Sequence, residues 1–199
     1  SPAYLCRKGS CIYAVIENAD FGGVQVFDVN KNGSLTAKAR LDTEDVYSTY
    51  ISAEKRGNRI FVANYGTPSC AVYRYEAEKL VQEVCLERKN RKSHIHCAAL
   101  TPEEAYVCLV DVGTDEILVY AADSLELVDT VKFPEGSGPR HIVFSSKGSY
   151  AYVITESSSE VFFDGIYTGA GKKARKPGIS VQISDTENLV LNHKSEHRR

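Results

Sequence analysis

The feature that most constrains this chain is a repeat. Tyr13, Phe61, Tyr106 and Tyr152 stand 48, 45 and 46 residues apart, each inside a short run of β-branched and aromatic residues. Residues 12–15 are followed by a second such run at 24–29, 60–63 by 70–75, 106–110 by 117–120, and 150–154 by 161–163. A third run leads each unit, at 3–6, 49–52, 96–100 and 141–144. A weaker fourth closes three of them, at 35–39, 80–84 and 127–131. Runs of this kind, bounded by Asn32-Gly33, Arg56-Gly57-Asn58 and Lys147-Gly148-Ser149, read as strands ending in turns. No apolar pattern at the helical period stands out. Four short strands in about 45 residues is the pattern of a β-propeller blade. A β-sandwich is the alternative, but it gives no reason for a steady spacing over four units. The expected fold is all-β, a propeller of four-stranded antiparallel blades, with about four blades in residues 1–163.

Composition narrows the function classes. The 199 residues carry 24 basic and 26 acidic side chains, a net charge of −2, so no basic footprint for nucleic acid is present. No window reaches the apolar length that spans a bilayer, and no membrane partner is expected. The opening residues Ser1-Pro2-Ala3-Tyr4-Leu5-Cys6-Arg7-Lys8 lack the layout of a secretory signal. Six cysteines, Cys6, Cys11, Cys70, Cys85, Cys97 and Cys108, are scattered, several of them within strand-like runs. Buried free thiols in a reducing cytoplasm are the expectation. No CxxC pair and no Cys/His cluster has zinc spacing, so no metal and no cofactor is expected.

The polar chemistry gathers between Ser93 and Glu156. Ser93-His94-Ile95-His96, Asp111-Val112-Gly113-Thr114-Asp115, Gly138-Pro139-Arg140-His141 and Thr155-Glu156 all stand at the ends of strand-like runs. Such places point out of a sheet edge into a mouth or channel. Asp111 and Asp115 flank a tight turn and are expected to cap its amides. A histidine titrates near neutrality and suits proton transfer, and a permanently charged arginine fork suits a planar oxyanion. Residues 164–199 break the repeat. They hold a basic loop at 171–177, read as a solvated turn, an alternating run at 178–183 and a polar tail at 192–199.

The repeat together with these motifs resembles the seven-bladed propeller lactonases, the group that includes bacterial 6-phosphogluconolactonase and the carboxymuconate-lactonising enzymes. The carrying residues are Ser1-Pro2-Ala3-Tyr4-Leu5, Ile12-Tyr13-Ala14-Val15-Ile16-Glu17, Phe61-Val62-Ala63-Asn64-Tyr65, Ser93-His94-Ile95-His96, Asp111-Val112-Gly113-Thr114-Asp115, Gly138-Pro139-Arg140-His141 and Tyr152-Val153-Ile154-Thr155-Glu156. The resemblance implies that His96, Arg140 and Glu156 line the central channel as catalytic residues. It makes His94, His141 and Glu17 their substrate-side neighbours. Glu156 would orient the histidine or act as base itself. The implied activity is opening of a small-molecule sugar lactone, foremost 6-phosphogluconolactone to 6-phosphogluconate in the pentose phosphate pathway. A muconate-lactonising cyclase or isomerase and a non-catalytic binding propeller are the alternatives. Seven blades at this spacing need more than about 300 residues. The run at 178–183 looks like the family's opening strands, so residues 179–183 are expected to pair with the unit that begins at Ser1. The rest of the ring would come from residues absent here or from a second chain, a homo-oligomer being one form.

Overall fold

The computed structural model describes residues 2–165 and 179–182. Every regular element among them is a strand. Blade one is β1 (Leu5–Lys8), β2 (Cys11–Val15), β3 (Gly22–Val29) and β4 (Leu35–Thr43). Blade two is β5 (Ser48–Ala53), β6 (Arg59–Asn64), β7 (Ser69–Glu76) and β8 (Lys79–Glu87). Blade three is β9 (Ile95–Leu100), β10 (Tyr106–Asp111), β11 (Glu116–Ala121) and β12 (Leu127–Lys132). Blade four is β13 (Pro139–Phe144), β14 (Tyr150–Thr155), β15 (Glu160–Gly165) and β16 (Ile179–Gln182). Each blade is a separate sheet in which consecutive strands pair antiparallel. The hairpins close on turn residues: Gly33 (φ 84°) and Gly148 (φ 68°) take left-handed conformations that a side chain would resist.

The described pairing corrects one expectation. Residues 179–182 pair with β15, with Phe162 opposite Ser180 and Phe163 opposite Ile179. The segment therefore supplies the fourth strand of blade four and is not a clasp on the Ser1 unit. Antiparallel neighbours joined along the chain are the shorter closure, and β15 would otherwise end its blade with a bare edge. Residue 183, the basic loop at 171–177, Tyr167 and the polar tail lie outside the described residues.

The first strands β1, β5, β9 and β13 stand side by side, so the first strand of each blade is innermost. The Thr49 hydroxyl donates to the His96 carbonyl (3.0 Å) and the Ser52 hydroxyl to the Ala98 carbonyl (2.6 Å), tying β5 to β9. The core is three layers between blades. Tyr13, Val15, Val24 and Val26 of blade one meet Ile60, Val62, Ala71 and Tyr73 of blade two. Phe61, Ala63, Cys70 and Val72 on the other face of blade two meet Ala98, Val107, Leu109 and Leu118 of blade three. Cys97, Cys108, Val110 and Ile117 meet Ile142, Ala151, Val153 and Phe162 of blade four. Strand alternation sends successive side chains to opposite faces, and a full blade has two faces to bury. Each fully buried Val, Leu, Ile or Phe contributes about 1.5–3 kcal/mol.

All six cysteines are free thiols. Cys97 and Cys108 are buried as expected, but Cys6 is half-buried because it sits on the inner strand of an end blade. Burial pushes the Cys97 and Cys108 thiols up to about 12, which keeps them protonated and unreactive.

Candidate active site

Three inner strands carry the same irregularity. In blade two Ser48 faces Asn64 and Tyr50 faces Ala63, so Thr49 has no partner. In blade three Ile95 faces Asp111 and Cys97 faces Val110, leaving His96. In blade four Pro139 faces Thr155 and His141 faces Ile154, leaving Arg140. Each is a β-bulge, which leaves one extra residue unpaired and re-aims its side chain. His96 and Arg140 are thus the same structural position in neighbouring blades. The residues after each bulge, Tyr50, Cys97 and His141, are likewise equivalent. In blade one the backbone bond from Val15 N–H to Tyr4 O (3.1 Å) puts Tyr4 at that place.

These positions converge. The His96 and His141 rings meet edge to face with centroids 4.8 Å apart. Tyr65, just past β6, meets His96 edge-on at 6.1 Å. Tyr4 stacks on Tyr50 at 4.1 Å, and His141 lies 5.8 Å from Tyr50 and 6.2 Å from Tyr4. Below Tyr4 and Tyr50 a cleft of about 370 Å³ continues between the inner strands, past Ser52, Leu100 and Val143. Arg140 Nε donates to Glu156 Oε2 at 2.9 Å. Glu156 follows β14 and is held by its N–H to Gly138 O (2.7 Å).

His94 belongs to the supporting wall. Its ring stacks on Tyr65 at 4.4 Å, and its Nδ1 lies 3.0 Å from Tyr65 O. The buried Asp111 carboxylate fixes this turn. It accepts from His94 N–H (2.8 Å), Gly113 N–H (3.1 Å) and the Ser93 hydroxyl, and Arg88 Nε lies 3.5 Å away. Asp111 therefore caps amides as expected. Asp115 caps elsewhere, accepting from Gly136 N–H (2.7 Å) and Gly138 N–H (2.8 Å) at the entry to the Arg140 bulge. Glu17 stands past the end of β2, at the place on blade one that Glu156 takes on blade four.

Electrostatics keep the two inner histidines neutral. Burial, then the charges of Arg140 and His141, hold the His96 imidazole down to about 4. Burial and Arg140 lower His141 as well, with Glu156 opposing them. His96 Nδ1 and His141 Nε2 are buried without a hydrogen-bond partner among the described residues. A neutral imidazole with an unpaired nitrogen is able to bind or deprotonate a small molecule.

The residues named from sequence are thereby sorted. The structure brings His96, His141, Arg140 and Glu156 into one cluster, with His94 behind it through Tyr65. Glu156, expected to orient the histidine or to act as base itself, pairs with Arg140 and its charge also acts on His141. His141, expected as a substrate-side neighbour, packs on the His96 ring. Tyr4, Tyr50 and Tyr65 were not anticipated as walls. Tyr4 and Tyr50 hold the same place in the repeat, which is the signal that could have found them, whereas Tyr65 holds the place of Glu17 and Glu156. No group of three or more metal-binding side chains exists among the described residues, and no helix there is long and apolar enough to cross a membrane.

Comparison with known proteins places this arrangement. The profile of the family described as "Lactonase, 7-bladed beta-propeller" matches residues 1–173. A 6-phosphogluconolactonase of Bacillus subtilis is 32% identical over 175 residues, 81% of this chain and 50% of its own length. An uncharacterised Staphylococcus epidermidis protein is 29% identical over 98% of this chain and 62% of its own. The periplasmic gluconolactonase of Pseudomonas aeruginosa superposes with a TM-score of 0.80 at 24% identity, over 94% of this chain and 59% of that one. The chain thus spans between half and about three fifths of the length of the relatives it matches. With its blades, its repeat and a family profile that runs through nearly all of them, the chain belongs to the seven-bladed β-propeller lactonase family.

Proposed function

We propose that these blades carry the ring-opening groups of a lactonase that acts on a sugar lactone, with 6-phosphogluconolactone as the favoured substrate. The observation that supports this best is the pair of bulges that turn His96 and Arg140 toward one cluster, beside imidazole nitrogens with no partner among the described residues. A lactone is a cyclic ester. In this reading neutral His96 takes a proton from water as the water oxygen bonds to the carbonyl carbon. The carbonyl oxygen becomes an oxyanion, and the Arg140 guanidinium stabilises it. As the tetrahedral centre collapses, the bond to the ring oxygen breaks. The His96 proton passes to that oxygen, giving the hydroxyl of the open acid. Glu156 holds Arg140 in place, and His141 and Tyr65 keep bulk water from the His96 ring. The name of the Bacillus subtilis relative supports the phosphorylated substrate. Six free thiols fit a reducing compartment such as the cytoplasm.

Acid release from 6-phosphogluconolactone, followed against the spontaneous rate, tests the reading. Catalysed hydrolysis is expected, with no turnover of a muconolactone. Turnover of the muconolactone alone would favour the cyclase alternative. A chain that binds lactones without accelerating their opening would make it a binding propeller.

A further inference from the structure

Charge at the mouth of the site is sorted by connection. The strands alternate in direction, so the β2–β3, β4–β5, β6–β7, β8–β9, β10–β11, β12–β13 and β14–β15 connections lie at the end where His96 and Arg140 sit. The β8–β9 connection leads into the strand of His96 and holds Arg88, Lys89, Arg91 and Lys92. The other connections carry no basic side chain and hold acidic ones, among them Glu17, Glu44, Glu135 and Glu156. Arg88 is spent inside the fold, with Nε 3.5 Å from Asp111 and its guanidinium paired with Glu116. Lys89, Arg91 and Lys92 are exposed, and no ion pair among the described residues engages them. The loop that carries them is fixed. Lys92 N–H donates to Asn90 Oδ1 and Ser93 N–H to Asn90 O, both at 3.0 Å. Lys92 O rests on Gly113, where a Cβ would collide with it. Lys92 stands four residues before His96, within about 14 Å along the chain. A lysine side chain from one side and a substrate's tail from the other close that gap.

We propose that Lys89, Arg91 and Lys92 form the subsite for the phosphate of a phosphorylated lactone whose ring lies at His96 and Arg140. The inference rests on the lactonase reading of that cluster. A phosphate monoester carries about −1.5 to −2 charge at neutral pH. The acidic connections around the mouth repel it, and the one basic connection draws it in. Lysine serves phosphate as a point charge and arginine as a fork. Asn90 and Asp111 already hold the loop, so little order has to be gained when the anion arrives. The ring is thereby oriented, with its phosphate toward the β8–β9 connection and its carbonyl toward Arg140.

The test compares 6-phosphogluconolactone with gluconolactone, which lacks only the phosphate. The preference, the ratio of the two kcat/KM values, is measured in the wild type and in a variant combining Lys89→Ala, Arg91→Ala and Lys92→Ala. It should fall at least about tenfold in the variant, through KM for the phosphorylated lactone. In the wild type it should shrink as salt rises. Lys31→Ala, Lys79→Ala and Lys147→Ala together remove the same charge from the opposite end of the blades and should leave the preference as it is. A variant at 89, 91 and 92 that keeps the preference, or that loses both lactones equally, would overturn the proposal. So would an equal fall in the variant at 31, 79 and 147. Calorimetry with 6-phosphogluconate and gluconate separates the subsite from the chemistry. If no lactone is opened but the wild type alone binds 6-phosphogluconate more tightly than gluconate, the lactonase reading falls and the subsite stands. If lactones are opened and the variant at 89, 91 and 92 binds 6-phosphogluconate as the wild type does, the subsite falls alone.

Discussion

Acid should destabilise this fold through His96. The ordinary imidazole value is 6.5, and burial together with Arg140 and His141 lowers it to about 4 in the fold. Between those values the unfolded chain binds a proton that the folded chain refuses. Stability is therefore whole above pH 6.5, falls as the pH drops through the window, and levels off near 4. One pKa unit is worth about 1.4 kcal/mol, so the full gap sets a ceiling near 3 kcal/mol, and residual solvent around the ring brings the expectation to about 2 kcal/mol. His141 adds loss in the same direction, because its value is lowered too. Carboxylates also titrate at the acid end, so the assay is a difference. Urea unfolding of the wild type and of His96→Gln is measured at steps from pH 7.5 to pH 4. The wild type should lose about 2 kcal/mol more than the variant across the window. Parallel curves for the two proteins, or a His96 ring that titrates near 6.5 by NMR, would refute the reasoning.

Three further outcomes follow from the same geometry. Asp111→Ala strips the acceptor from two backbone N–H groups and the Ser93 hydroxyl and takes one of two carboxylates from Arg88, which keeps Glu116, and should cost about 3–5 kcal/mol in urea unfolding; a loss below about 1 kcal/mol would show that the carboxylate is dispensable. Glu156→Gln removes a half-exposed ion pair and should change stability by less than about 1 kcal/mol, while the His141 value falls further because the charge that raises it is gone; a rise in that value by NMR would contradict the assignment. Thiol titration in denaturant without reductant should find all six cysteines, with Cys97 and Cys108 unreactive until the chain unfolds; fewer than six would mean disulfides.

The blades were legible because their signal is repeated. Tyr13, Phe61 and Tyr152 take the same place on β2, β6 and β14, while the pairing puts Cys108 there on β10 and Tyr106 two residues earlier; burial of one blade on the next demands apolar residues at a fixed interval. Blade four was harder. Its last strand follows β15 only after residues 166–178, where the other blades use a short turn, so Ile179 read as the start of something else. The bulges left no mark at all. A bulge is a one-residue slip in pairing, and Thr49, His96 and Arg140 share no side-chain chemistry that announces it. His96 and Arg140 were reached through their motifs. That Thr49 holds the same place, and that Glu156 turns to Arg140, needed the pairing register. The aromatic wall was hidden for a related reason: Tyr4 and Tyr50 meet only where the inner strands stand side by side, and Tyr65 joins them only through His94 and His96 of the next blade.

The central claim is that the bulge at Arg140 presents a guanidinium to the oxyanion of an opening lactone. Its most direct test is kcat/KM for 6-phosphogluconolactone in the wild type, Arg140→Ala and Arg140→Lys. Losing the charged fork should remove about 3 kcal/mol of transition-state stabilisation, a drop of roughly a hundredfold. The lysine should recover only part of it, because a point charge does not reproduce the fork. Equal activity in the wild type and Arg140→Ala would contradict the account.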